Sequence, residues 1–290
     1  MNIIFIDFLI RASKYGIGTY NYLYHNAIEK QSLACLYYIE ILSEDILYTR
    51  VINVNQNFCH IKIPMPLELK QIEFISDDKL EFFSKTIFHI IKDYLDFKKE
   101  NTIIHLNSYM GFYLALLIKK TFKYPLVTVY HFLHSQQSIN NEEYRSYSAM
   151  NKVTMNLEKE AAKISDGIIC MSDSVKELIS KEFEICPEVI KKLSCGVNID
   201  KFDLIENDQN YRKSLGYGKE EKVIVFCGRL DAQKGLNFLI SAFKKLIDYD
   251  RKRRYRLLII GEGLYDTYFK QCSDIWPMVS FTGYLTSERV

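Results

Sequence analysis

Short apolar runs alternate along this chain with segments whose apolar residues recur at helical spacing. Seven runs in the first 200 residues predict buried strands, with centres near Ile4, Leu36, Val51, Ile104, Val127, Ile169 and Leu193. Three more runs predict strands with centres near Val225, Leu258 and Phe281. Strands that alternate with helices are typical of parallel sheets, so the pattern predicts an α/β fold.

The pattern loosens at residues 203–222, which are polar and include Gly216 and Gly218. This segment predicts a linker between a first domain at 1–202 and a second domain at 223–290. The second domain holds only three predicted strands, whereas a doubly wound domain has about six. We therefore expect the second domain to be incomplete.

Composition narrows the class of protein. The formal net charge of +2 gives no reason to expect a nucleic-acid partner. The basic run Arg251–Arg254 predicts either a solvated helix end or a peripheral contact with an anionic membrane. Seven cysteines without C-x-x-C spacing, and no apolar run near the roughly twenty residues of a membrane span, predict a reduced, cytoplasmic protein.

The segment 223–235 predicts a strand, a turn and the start of a helix that covers Leu236 to Ile247. Gly228 permits the turn, and Arg229 and Lys234 flank it at the positive end of the helix. Two cations in this position suit a diphosphate, although they could also be ordinary solvated loop charges.

This segment, Gly228-Arg-Leu-Asp-Ala-Gln-Lys-Gly235, together with Gly261-Glu-Gly263 and Phe281-Thr-Gly283, resembles the donor half of retaining GT-B glycosyltransferases of family 4. The resemblance implies two Rossmann-like parallel-sheet domains and a UDP- or GDP-linked sugar that binds mainly to the second. It implies no metal and no other cofactor. It also implies that Arg229 and Lys234 hold the donor diphosphate and offset the charge on the leaving group, with Gly228, Gly261 and Gly263 in the same site.

In the first domain, a strand that ends at Asp7 precedes a glycine loop and a helix that we expect to begin at a Thr19 cap. The resemblance implies that the backbone at Gly16 and Gly18 approaches the donor phosphate or the acceptor, although Tyr15 stands where the family usually has its first glycine. The alternative is that both glycines serve only the turn.

His131 follows the predicted strand 125–130, and a side chain at the carboxyl end of such a strand points into the crevice where ligands bind. The resemblance implies that His131 contacts the transferred sugar. A purely structural histidine is the alternative, and His134 lies close enough in sequence to be confused with it.

Three further residues match the family pattern in the segment 157–172. We expect Asp166 to be a turn residue and Ser172 to cap the next helix. Glu158 is either a helix-surface charge or a hydrogen-bonding group in the cleft, and the sequence favours a structural role.

The resemblance predicts a cytoplasmic glycosyltransferase of polysaccharide biosynthesis that moves a sugar, with retention, to a glycan or lipid-linked acceptor. The paired glutamates of the family's later motif have no counterpart here, so we expect a truncated or degenerate chain with negligible activity alone. The alternative is a non-catalytic donor-site remnant that acts as a partner subunit, with another protein covering the incomplete second domain.

Overall fold

A computed structural model of the chain describes residues 1–8, 16–31, 34–42, 48–66, 69, 76–95, 101–133, 148–196, 199, 209–251 and 254–286. The chain divides into two compact units, Met1–Asn198 and Ile199–Val290. Tyr15, His134 and residues 252–253 of the basic run lie outside the described residues.

The first unit is built on one eight-stranded sheet. Its strands are β1 (Asn2–Phe8), β2 (Cys35–Leu42), β3 (Arg50–Asn55), β4 (Phe58–Pro64), β5 (Thr102–Leu106), β6 (Leu126–Tyr130), β7 (Gly167–Cys170) and β8 (Ile190–Lys192), in the order β3-β4-β2-β1-β5-β6-β7-β8. Among these eight described strands, only the β3–β4 pair is antiparallel. The central strand β1 is a continuous apolar run with Ile3 to Ile6 all buried, as expected for a parallel strand covered on both faces.

Two strands differ from the sequence prediction. β4 was not predicted, although Cys59, Ile61 and Ile63 are buried and alternate with less buried neighbours, which is the period of a half-buried strand. The strand expected near Leu193 ends at Lys192, and only Ile190 within it is buried.

Helices cover the sheet of the first unit. Within the described residues they are α1 (Gly16–Gln31), α2 (Asp77–Ile91), α3 (Phe112–Phe122), α4 (Ser148–Ile164) and α5 (Asp173–Phe183). The Thr19 cap was wrong, because α1 begins one turn earlier, at Gly16, and Thr19 lies inside its first turn. The Ser172 cap is confirmed: its Oγ accepts a hydrogen bond from the Val175 N–H at 3.3 Å.

The strand order places a crevice in the first unit. β1 pairs with β2 on one side and with β5 on the other. The strands from β2 to β4 therefore extend the sheet in one direction from β1, and the strands from β5 to β8 extend it in the opposite direction. Loops that leave the carboxyl ends of strands at such a reversal diverge, and ligands of open α/β sheets bind there. The carboxyl ends of β1 and β5 are therefore where a site is expected.

The second unit contains three parallel strands in the order β11-β10-β9. Its elements are α6 (Gln209–Ser214), β9 (Lys222–Cys227), α7 (Leu236–Tyr249), β10 (Tyr255–Ile260), α8 (Tyr265–Gln271) and β11 (Val279–Gly283). The three strands coincide with the predicted ones. α7 buries Leu236, Ile240 and Phe243 in one core with Leu257 and Ile259 of β10. Of the predicted linker, residues 209–214 form α6.

The two outer strands of this sheet, β11 and β9, each carry apolar side chains. The Phe281 ring of β11 is partly buried against the core and packs edge-on to Phe269 at 4.6 Å. At the opposite edge, Val225 of β9 is 56% exposed. Across the residues that the structure describes, no helix combines the length and the hydropathy needed to cross a bilayer.

Candidate functional site

The turn after β9 holds both predicted cations. The Arg229 guanidinium, whose side chain is 37% exposed, pairs through Nε with the Asp231 carboxylate, and its Nη2 lies 3.5 Å from Gln233 Oε1. Asp231 also caps the short helical turn 232–234 by accepting the Lys234 N–H at 3.2 Å. One carboxylate thus fixes both the side chain of Arg229 and the backbone that carries Lys234.

This turn is suited to an anion. Two cations and one carboxylate leave it with one net positive charge, and the Lys234 side chain is exposed to solvent. α7 begins at Leu236, directly after the turn, so the positive end of its dipole lies beside Lys234. Because Asp231 holds only the Nε side of Arg229, the Nη groups keep donors for an incoming oxyanion.

The three predicted glycines of this unit, Gly228, Gly261 and Gly263, lie where the loops after β9 and β10 contact each other. Gly228 donates its N–H to the Ile260 carbonyl at 2.9 Å, which joins the ends of β9 and β10. Gly261 and Gly263 have φ of +140° and +149°. A Cβ on Gly261 would lie 1.8 Å from the Gly228 carbonyl oxygen, and one on Gly263 would lie 2.4 Å from that of Leu230. The glycines therefore let two strand-end loops pack against each other, and a direct contact with a ligand stays a prediction.

The first unit has a pocket at the carboxyl ends of β1, β5 and β6, next to the first turn of α1. Its volume is about 100 Å³, and its lining includes Asp7, Gly18, Asn21, Asn107, His131 and Glu158. Gly16 opens α1 two residues before Gly18. The predicted site residues Gly18 and His131 are thus brought together, in the crevice that the strand order predicts.

His131 follows β6 directly and enters this pocket as a neutral side chain. Its Nε2 lies 2.9 Å from Asn107 Oδ1, and its ring meets Tyr20 edge-on with 4.7 Å between centroids. Burial lowers the pKa of His131 to about 4. At neutral pH the imidazole is therefore uncharged and acts through hydrogen bonds.

Sequence reasoning missed the polar residues around His131. Asp7 is buried at the end of β1 and accepts hydrogen bonds from the side chains of Asn21 and Tyr38, the latter at 3.1 Å. Burial raises the pKa of Asp7 to about 6, against the effect of these hydrogen bonds. Asn107 follows β5 and donates from Nδ2 to Asn21 Oδ1 at 2.7 Å. The available signal was a polar residue at the carboxyl end of each of three apolar strands.

Two other predicted residues now have definite positions. Glu158 is 1% exposed and lines the pocket, which rules out a helix-surface charge. Asp166 is a structural residue, as predicted, because it accepts the Leu126 N–H at 2.7 Å and pairs with Lys119. Asp166 thus connects the amino end of β6 to α3, whereas the pocket lies at the carboxyl end of β6.

Comparison with protein families matches both units. Residues 74–201 match the model described as Glycosyltransferase Family 4, and residues 207–290 match the model described as Glycosyl transferases group 1. These matches support a GT-B glycosyltransferase of family 4/group 1. The fold of this chain is similar to that of sucrose-phosphate synthase from Thermosynechococcus elongatus. The two structures superpose with a TM-score of 0.74 at 15% sequence identity, over 99% of this chain and 71% of that one.

Two curated glycosyltransferases are similar in sequence. An uncharacterized glycosyltransferase of Methanocaldococcus jannaschii is 29% identical over 168 residues, which cover 56% of this chain and 40% of the relative. The UDP-Gal:alpha-D-GlcNAc-diphosphoundecaprenol alpha-1,3-galactosyltransferase of Escherichia coli is 27% identical over 203 residues, 66% of this chain and 51% of the relative. The chain thus spans about two fifths to one half of the length of these relatives.

Proposed function

We propose that this glycosyltransferase moves a sugar from a UDP- or GDP-linked donor to a glycan or lipid-linked acceptor, with retention of configuration and without a metal. The observation that carries the proposal is the turn at Arg229 and Lys234. Two cations lie there beside the N-terminus of α7, and Gly261 and Gly263 pack closely against the same loop. The Escherichia coli relative, whose name specifies a UDP-linked donor and a diphosphoundecaprenol-linked acceptor, supports this choice of substrates.

The chemistry assigned to the turn is stabilisation of the leaving group. When the bond from the sugar to the diphosphate breaks, negative charge grows on the diphosphate oxygens, and fixed cations stabilise that charge without reorganising at the moment of reaction. Arg229 is already oriented by Asp231, so its Nη donors need little further ordering. Lys234 supplies a second, more mobile charge.

The pocket of the first unit is assigned to the sugar. A neutral His131 and the amides that line the same space can hydrogen-bond with sugar hydroxyls, and the carboxylates there can accept hydrogen bonds from them. The backbone at Gly16 and Gly18 is proposed to approach the donor phosphate or the acceptor at the first turn of α1.

Alanine at Arg229 or Lys234 is expected to weaken UDP binding by the 290-residue chain at least tenfold. Hydrogen bonds to charged groups contribute about 1.5–3 kcal/mol each, which corresponds to that change or more. The measurement is titration calorimetry with UDP and with GDP. Lys245→Ala removes the same charge from an exposed position on α7 and should leave the affinity within about twofold. Unchanged affinity in both turn variants would remove this turn from the donor site.

A second candidate, a binding subunit without catalysis, is favoured by the outer strand β9, whose Val225 is 56% exposed and which another protein could cover. Both candidates predict nucleotide binding at Arg229 and Lys234, so turnover separates them. The purified chain is incubated with UDP-sugars and a polyprenyl-diphosphate sugar, and UDP release and product are measured. Transfer supports the enzyme, whereas binding without transfer supports the partner subunit.

A further inference from the structure

Four polar side chains form a continuous hydrogen-bonded row from the end of β1 to His131. Asp7 accepts from Asn21 Nδ2, Asn21 Oδ1 accepts from Asn107 Nδ2 at 2.7 Å, and Asn107 Oδ1 lies 2.9 Å from His131 Nε2. The four residues come from β1, α1, the end of β5 and the end of β6. Asp7, Asn21 and Asn107 are each less than 5% exposed, so little water competes for these bonds.

The carboxylate at one end fixes the direction of every bond in the row. An ionised carboxylate only accepts, so the Asn21 amide must present its nitrogen to Asp7 and its oxygen to Asn107. Asn107 must then present its nitrogen to Asn21. A flip of Asn107 would place its oxygen against both the Asn21 oxygen and Asp7, to which its side chain also hydrogen-bonds.

The same logic reaches the histidine. With its nitrogen engaged, Asn107 offers only its oxygen to His131, and an oxygen can only accept. His131 Nε2 must therefore carry a hydrogen. Because burial keeps this imidazole neutral at ordinary pH, the other nitrogen, Nδ1, holds a lone pair.

We propose that Asn107 is a positioning residue that, anchored through Asn21 to Asp7, holds His131 as the Nε2–H tautomer so that Nδ1 is the acceptor it offers to a ligand hydroxyl. The ligand class, a sugar, rests on the function proposed above. In this state His131 selects for a hydroxyl donor at the matching position of the sugar, and it has no Nδ1 proton to give to a leaving group.

The tautomer is measured directly by long-range ¹H–¹⁵N NMR of the ¹⁵N-histidine-labelled 290-residue chain at pH 8, since the two ring nitrogens differ strongly in chemical shift when only one is protonated. The chain has six histidines, and the His131 signals are those that disappear in His131→Gln. We expect a protonated Nε2 and an unprotonated Nδ1. In Asn107→Leu, which removes the acceptor, we expect the two nitrogens to move toward averaged shifts.

Asn2→Leu is the matched control. Asn2 donates to Thr102 Oγ1 at 3.2 Å at the opposite end of β1, so its loss should leave the His131 shifts unchanged. A His131 ring protonated at Nδ1 or averaged in the unmodified chain would overturn the proposal, and this result needs no variant. If Asn107→Leu does not fold, Asn21→Leu tests the hydrogen bond that holds Asn107. Unchanged His131 shifts in whichever of these variants folds would also overturn the proposal.

Donor addition separates this inference from the proposed function. If the Nε2–H tautomer is found but a saturating UDP-sugar leaves the His131 Nδ1 shift unchanged, the role of His131 toward the sugar fails while the positioning by Asn107 stands. If Nδ1 moves on donor addition in a ring with the opposite tautomer, the sugar contact stands and the positioning fails.

Discussion

Gly261→Ala is expected to destabilise the second unit by about 2 to 6 kcal/mol, the largest effect that we expect from adding a single methyl group to this unit. The new Cβ would lie 1.8 Å from the Gly228 carbonyl oxygen, which is backbone and cannot rotate away, and the residue would keep a φ of +140°. Overpacking and a disfavoured backbone conformation each cost about 1–3 kcal/mol. A small domain has only about 5–15 kcal/mol in total, so the loss is a large part of it.

Trp276, the chain's single tryptophan, lies in the second unit and contacts Phe269 edge-on, so its fluorescence in urea follows the unfolding of this unit. The matched control is Gly216→Ala. Gly216 also has a positive φ, +83°, but nothing lies within 4 Å of the Cβ it would gain, so only the backbone term of about 1 kcal/mol is expected. Equal urea midpoints for the two variants would show that the loops after β9 and β10 do not pack as closely as described.

The same residues show how far sequence reasoning reaches in the second unit. Local patterns located β9, β10 and β11, because each is an apolar run bounded by glycine or polar residues. The reason for glycine at 261 and 263 lies in the approach of a loop some thirty residues earlier in the chain, at Gly228 and Leu230. A local sequence pattern gives no information about which distant loop lies close to these glycines. From the sequence alone, they could be assigned only to anion binding.

In the first unit the limit is similar. His131 could be singled out because it follows an apolar strand and matches the family, but its partners could not. Asn107 and Asp7 lie 24 and 124 residues before it, and they meet only because β5 pairs with β1 on one side and β6 on the other. The burial of Glu158 likewise depends on which face of α4 meets the sheet, and the sequence left that open.

Three histidines of the first unit, of which His105 is buried and His25 and His131 are half-buried, lead us to expect a loss of stability in mild acid. Burial lowers the pKa of His25 to about 4, of His105 to about 3 and of His131 to about 4. In the unfolded chain their pKa is near 6.5, so as pH falls below about 6.5 the unfolded state binds protons that the native state does not bind. Their contribution to stability is complete above pH 6.5 and is lost progressively toward pH 4.

Asp7 acts in the opposite sense over part of this range. Its native pKa of about 6, against 3.8 for an ordinary aspartate, means that the native state holds one extra proton between those values, which favours folding as pH falls. Three imidazoles outweigh one carboxyl, so the unfolded state binds more protons than the native state near pH 5, by about two. Stability should therefore fall with pH there, by roughly 3 kcal/mol per pH unit.

The test is urea unfolding between pH 7.5 and 4.5, followed by far-ultraviolet circular dichroism with Trp276 fluorescence recorded alongside to separate the second unit. His105→Asn removes one of the three imidazoles and should reduce the slope near pH 5 by about 1.4 kcal/mol per pH unit, whatever it does to the absolute stability. His89→Gln removes an exposed histidine on α2 and should leave the slope unchanged. A first unit whose unfolding free energy stays constant from pH 6.5 to 4.5 would mean that these three imidazoles accept protons in the native state, and the neutral His131 inferred above would then be wrong as well.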